Sequence, residues 1–422
     1  DSLTTGGSNV AFGYNSLSTE DTGARNTAVG YNSLKNLNFD GNGYNTAIGY
    51  DAGRKLTTGD QNTILGSLAG DALTEGNTNV AIGYVALSSE TLGDRSVAIG
   101  RGALGAQNNT SNVDAFNIAI GYDAGGDVTT GILNSMVGGL AGDALTTGVS
   151  NVAFGFGALS AETTGAANVS IGTYAMSSST LASRNVAIGH QALQDLTYSS
   201  LTLSYNTGVG HAAGANITSG INNTIIGALA GDALTTAANN TALGYAALGS
   251  DVAGDANVAV GFGAMSSTDN ARANVAIGFN ALTALDYSSL TYSHNIGIGF
   301  EAGKLITTGT LNTIIGGQAG DALTTGVSNV ALGFAALSSA QTSNYNTAVG
   351  ERALHLNVNS NRNTALGFQA LYSHTAANAT DSYNTAVGYS AGSAITTGIN
   401  NTIIGGQAGD ALTTGTRNVA IG

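Results

Sequence analysis

Polar and apolar residues alternate along this chain in short bursts, and every burst ends on glycine. The burst reads Asn, a small or β-branched residue, usually Ala, an aliphatic residue or Phe, then Gly, as in Asn312-Thr313-Ile314-Ile315-Gly316. Its Asn stands at 9, 26, 45, 62, 79, 117, 134, 151, 168, 185, 206, 223, 240, 257, 274, 295, 312, 329, 346, 363, 384, 401 and 418, with Ser96 in its place once, which makes 24 copies. Alternation with period two predicts short strands rather than helices. In the copy at Asn329, Val330, Leu332 and Phe334 fall on one side, and Asn329, Ala331 and Gly333 on the other. The large set is expected to fill the inside of a coil. The small set is expected to leave a bare outer wall on which another backbone can approach closely.

The spacing predicts a solenoid. Most steps from one copy to the next have a length of 17; one has a length of 19 and four have a length of 21. The 21-residue steps run from 96 to 117, 185 to 206, 274 to 295 and 363 to 384, so from Asn117 the pattern is an 89-residue superrepeat. A 17-residue step is too short for a helical hairpin but fits one coil of short strands and turns. The expected fold is an all-β parallel β-roll or β-helix of about 24 coils with a 17-residue period and a 21-residue coil every fifth layer. Residues 1–422 read as one continuous repeat domain: first coils at 1–44, a short group at 45–116, superrepeats at 117–205, 206–294 and 295–383, and a partial group at 384–422. Asp1-Ser2-Leu3 repeats Asp321-Ala322-Leu323, and the chain stops on the Gly of a motif, so a segment of a longer fibre is expected.

Composition narrows the picture. Gly is abundant, but Pro is absent, which excludes collagen and suits a body whose NH groups are used between coils. Cys is absent too, so there is no disulfide or thiolate chemistry. The net charge of -14, with 12 Lys and Arg scattered along the chain, argues against nucleic acid. No apolar run reaches the roughly 18 residues that a membrane span needs, so no membrane insertion is expected within this segment. A thin coil with a bare wall needs a partner, which points to self-association.

No catalytic constellation emerges, so no enzyme, cofactor or metal is expected. Thirteen rings occupy the place just after the motif Gly, read as a stacking ladder rather than a sugar-binding strip. His190 and His211 share that place in successive coils and should stack. Asp71, Asp143, Asp232, Asp321 and Asp410 follow a Gly at equivalent points and read as turn caps rather than calcium ligands. The 21-residue coils bring Tyr beside Ser and Thr. Tyr198, Tyr287 and Tyr292 are therefore the candidate surface contacts for a neutral glycan or protein, with a bracing strand as the alternative.

The copies Asn79 to Gly83 and Asn185 to Gly189, Asn-Val-Ala-Ile-Gly, and the Asn-Thr-Ala-Val-Gly at 346–350 resemble the head repeats of trimeric autotransporter adhesins. They look equally like the repeats of some bacteriophage tail fibres. The resemblance implies a left-handed parallel β-roll packed side by side as a homotrimer, located outside the cell on a cell or virion surface, with a role in attachment to a host-surface glycan or protein. The 17-residue coils are longer than the family's usual ones, and the 89-residue superrepeat departs from its common pattern. A passive spacer and an ice-binding solenoid are the rival readings. Ice binding would need a Thr ladder on every coil, whereas Thr-Thr-Gly appears only in some layers, for example starting at 57, 129, 146, 307, 324, 396 and 413.

Overall fold

A computed structural model describes residues 4–375 and 380–422. The repeat read at residues 1–3, and residues 376–379 of the last 21-residue step, lie outside them. The described chain is a parallel β-solenoid of about 24 turns, and no helix occurs among the described residues. It divides into two compact units, Asp1–His211 and Ala212–Gly422.

Each motif contributes one three-residue strand that pairs in parallel with its neighbouring copies. In the first unit Val80 pairs with Val97 and Val97 with Ile118. In the second, Val330 pairs with Thr347 and Thr347 with Thr364. Three of the long steps insert a second strand beside the ladder. Thr197–Leu203 pairs with Thr180–Ser183, Asp286–Tyr292 with Asp269–Arg272, and Thr380–Asp381 with Ser360–Asn361.

The facing of the motif strand is the reverse of the expectation. Ala331 is wholly buried, while Val330 is 38%, Leu332 43% and Phe334 48% exposed. The same holds from Ala28 to Ala386, with Ile, Met, Ser or Gly replacing Ala in some layers. The reason is volume. The coil interior is filled from the opposite side by a residue eight places after the Asn, such as Leu337, and by one eleven places after it, such as Leu323, both fully buried. Only a small residue fits against them from the motif strand, so the large ones are turned outward.

The motif Gly is fixed by its neighbour. Gly316 and Gly333 have φ of +134°, and a β-carbon on Gly316 would stand 2.5 Å from the carbonyl oxygen of Gly333. Gly83 and Gly189 sit in the same way against Gly100 and Gly210. The backbone that approaches this column closely is thus the next coil of the same chain.

The motif Asn side chains form a buried ladder. Asn312 Nδ2 donates to Asn295 Oδ1 (3.1 Å) and to the Gly326 carbonyl (2.8 Å), while its own Oδ1 accepts the main-chain NH of Asn329 (3.0 Å). Asn79 and Asn185 are rungs of the same kind in the first unit. Buried main-chain and amide groups are thereby paired layer by layer, which a folded chain requires. Where Ser96 interrupts the ladder, Gln107 fills the gap. Its Nε2 donates to Ser96 Oγ (3.0 Å) and its Oε1 accepts from Asn117 Nδ2 (2.9 Å).

Candidate interaction faces

Turning the large motif residues outward gives each unit a row of partly exposed side chains that is apolar in every layer at its third position. Its members are the first, third and fifth residues after each Asn, for example Ile277 at 38%, Phe279 at 42% and Phe300 at 51% exposed. Expected ring stacking occurs along it: Tyr245, Phe262, Phe279 and Phe300 follow one another with centroids 5.1 to 5.4 Å apart and planes within 17°. In the first unit Tyr14, Tyr31 and Tyr50 stack likewise, and His190 stacks on His211 at 5.3 Å. A ring between two stacked neighbours has both faces covered and shows only its edge. Such a row suits close packing against another protein surface better than sugar stacking, which uses ring faces.

The long steps carry the second recurring feature. Arg25, Arg95, Arg184 and Arg362 directly precede the first motif residue of the layer before the step, an Asn in each case but Ser96. Their guanidinium groups lie over Tyr44, Phe116, Tyr205 and Tyr383 of the layer after it, 5.4 to 5.7 Å from the centroids. Arg272 takes the same part over Tyr292 at 5.5 Å, and Tyr292 stacks on His294 at 5.9 Å. Arg95 is also paired with Asp114, Arg272 with Asp255 and Arg362 with Asp381. The sequence signal for this clamp is an Arg before the motif on the near side of a long step and a ring before the motif on its far side.

Two of the three candidate contacts are corrected. Tyr198 and Tyr287 are only 9% and 6% exposed, because in each inserted strand the second residue points into the coil. Tyr287 Oη donates to the Gly309 carbonyl (2.7 Å) and accepts from Asn295 Nδ2 (3.5 Å); burial pushes both phenols above their ordinary acidity range. They anchor the inserted strand to the Asn ladder, as Gln107 does at the first long step. His374 does the same at the last one, bonded through Nε2 to Ser360 Oγ (2.8 Å), and burial lowers its pKa to about 4. Tyr292 is 63% exposed, and Leu290, Leu201 and Leu203 stand out beside the corresponding strands.

Acidic groups are divided between interior and rim. Glu90 and Glu162, both wholly buried, each accept three successive turn NH groups on one oxygen: Thr91, Leu92 and Gly93 at 2.8 to 3.1 Å, and Thr163, Thr164 and Gly165 at 2.8 to 3.3 Å. Asp251 occupies the equivalent corner with a shorter arm. It reaches Gly254 NH (2.8 Å) with one oxygen and leaves the other without a partner, and burial pushes its pKa up to about 6. On the rim, burial raises the pKa of Asp71, Asp143, Asp232 and Asp321. Arg54 bridges Asp51 and Asp71 at 3.6 and 3.9 Å, and Lys304 pairs with Glu301 at 2.7 Å. At the same place in the second group stands Gly126, lining an open hollow of about 380 Å³ with Asp123, Asp127 and Asp143. Among the described residues no three acidic or histidine side chains come together as a metal site.

Compared with known proteins, the chain matches no family model, no curated sequence and no solved structure.

Proposed function

We propose that this chain is a non-catalytic, extracellular fibre module that associates side by side, as a homotrimer, through its outward apolar row, and that it serves attachment at a cell or virion surface. The observation that carries this reading is the row itself. An aliphatic residue or Phe stands at the place of Leu332 in every layer, partly or largely exposed, and is joined in many layers by an exposed Val or Ile at the place of Val330 or a ring at that of Phe334. Contiguous apolar surface of that extent marks a protein contact, and threefold closure covers it without leaving an open edge. Left-handed winding and the trimeric state are the parts of the reading that rest on the repeat's likeness to adhesin heads and tail fibres.

The burial of Tyr198 and Tyr287 favours a shaft within such a fibre, with attachment carried by other surface. Tyr292, with Leu290 beside it, is the remaining candidate for direct contact with a glycan or protein.

The molar mass of the unmodified chain by light scattering tests the assembly. Leu332→Arg on the outward row should abolish association while preserving the coil, whereas Ala331→Arg should unfold its layers, because that side chain points into a closed interior. A monomeric unmodified chain would sink the reading. Binding to cells or a glycan array that survives Tyr292→Ser would place attachment elsewhere.

A further inference from the structure

The outward row is nearly degenerate at its first and third positions, while its fifth varies from Tyr and Phe to Gly139, Gly317, Arg101 and Glu351. Its first member is mostly Val, Thr or Ile and its third Val, Ile, Leu or Phe in all 24 copies. Two copies packed through such positions can slip by one layer and lose the contact of little more than one layer among the 12 of each unit. Apolar contact is non-directional, so it discriminates weakly between these registers, as a featureless strand does in sheet pairing.

A second departure recurs with the long steps. After every long step the residue before the motif Asn is a ring: Tyr44, Phe116, Tyr205, His294 and Tyr383. Tyr44, Phe116, Tyr205 and Tyr383 are 47% to 52% exposed. Each stands two residues ahead of a motif strand of the outward row, as Tyr205 does before Thr207–Val209, with φ between 48° and 51°. The rings are held from the layer before by arginine or, at His294, by Tyr292 on Arg272. Five of the 12 basic residues in the chain stand at these steps. A guanidinium over an exposed ring restricts it before any partner arrives, which lowers the ordering cost of contact.

We propose that these arginine-backed rings set the axial register between side-by-side copies of this chain. The inference rests on the self-association proposed above and adds what fixes its alignment. The occupant is a second copy because the rings recur with an 89-residue period from Phe116 to Tyr383. Another copy meets every mark at once in one alignment and misses all of them when shifted by one layer. A partner lacking that period gains nothing from the spacing.

The absence of Cys allows a direct test on the full chain. Leu332 and Val349 pair across adjacent layers of the outward row. Chains carrying Leu332→Cys and Val349→Cys are co-assembled and oxidised, and like and mixed disulfides are counted by mass spectrometry. With the rings present, mixed links should be at least about tenfold rarer than like ones. In a background of Tyr44→Ser, Phe116→Ser, Tyr205→Ser, His294→Ser and Tyr383→Ser, assembly mass should be kept and mixed links should rise to parity. Mixed links that stay rare in this background would overturn the proposal. So would a ringless chain that is monomeric while the parent assembles, since the rings would then hold the copies together rather than align them. A monomeric parent would instead remove the self-association reading itself.

Discussion

Ile314 and Gly320 share one volume: the Cδ1 of Ile314 lies 3.1 Å from the point where a β-carbon on Gly320 would stand. One layer on, Ala331 and Leu337 divide the same space the other way, both wholly buried. The exchange recurs at Ile64 and Gly70, Met136 and Gly142, Ile225 and Gly231, and Ile403 and Gly409. Leu337 takes φ of 54°, so the backbone at this place accepts Leu as well as Gly. Ile314→Ala should therefore cost about 2–4 kcal/mol through the cavity it leaves, and Gly320→Leu alone should overfill the coil. The double substitution should recover most of the loss, as denaturant unfolding would read. Simple additivity of the two costs would refute the shared volume.

The Asn ladder gives a second test. Asn312→Ala removes the acceptor of the Asn329 NH and the donor to the Gly326 carbonyl in a dry interior. Each orphaned group costs about 1–3 kcal/mol, so hydrogen exchange at Asn329 and its neighbours should accelerate at least tenfold. In the layer where Gln107 completes the ladder, Gln107→Ala should be as damaging, although Gln107 stands outside the motif. An unchanged exchange rate in either variant would mean that the ladder is incidental.

Asp251 makes stability depend on pH. Its folded pKa of about 6 exceeds the ordinary 3.8, so the folded state binds the proton more tightly than the unfolded one. Stability from this group is therefore present below pH 4, declines between pH 4 and 6, and stays reduced above that, by about 3 kcal/mol at 1.36 kcal/mol per pKa unit. Asp251→Leu, which installs the residue found at Leu234 and Leu285, should raise stability more at pH 7 than at pH 4. Asp251→Glu should also gain, by reaching the turn NH groups as Glu162 does. His374, whose pKa burial lowers to about 4, gains stability over the same range, so the difference between the parent and Asp251→Leu urea midpoints at pH 4 and pH 7 decides the matter, and a difference that is the same at both pH values would refute it.

Gly126 leaves three carboxylates around a hollow that Arg54 and Lys304 fill in their own groups. Gly126→Lys should stabilise the chain by about 0.5–1 kcal/mol, in part through solvent-screened charge pairing and in part through a stiffer unfolded chain. A melting shift that persists in concentrated salt would assign the gain to the backbone term alone, since added salt screens the charge term.

The solenoid and its strand positions were legible because the Asn and Gly that mark each layer have jobs no other residue fills: a rung with donor and acceptor, and a site with no room for a β-carbon. The facing was not. Val330 and Leu332 look like core because size and hydropathy usually track burial, but here Leu323 and Leu337 already occupy the interior. The corrective signal lay in the sequence as a trade in size between the second and eighth residues after each Asn. Tyr198 and Tyr287 were misread because nothing local tells which face of an inserted strand turns inward. Their likeness in role to Gln107 and His374, which stand two places earlier in their steps, becomes visible only once the ladder they complete is known.

Most contacts in the Asn ladder join partners 14 to 21 positions apart, such as Asn312 to Gly326, Asn401 to Asn384 and Asn206 to Asn185. A separation of 17 in a chain of 422 is a relative contact order of about 0.04, lower than that of helical bundles. Folding can thus start at any layer and spread by addition of the next, with no long loop to close at any stage. The same arithmetic governs failure. A damaged layer interrupts the propagation without undoing what lies on either side, so a chain injured at one point should melt as two shorter cooperative blocks rather than lose its structure in a single event.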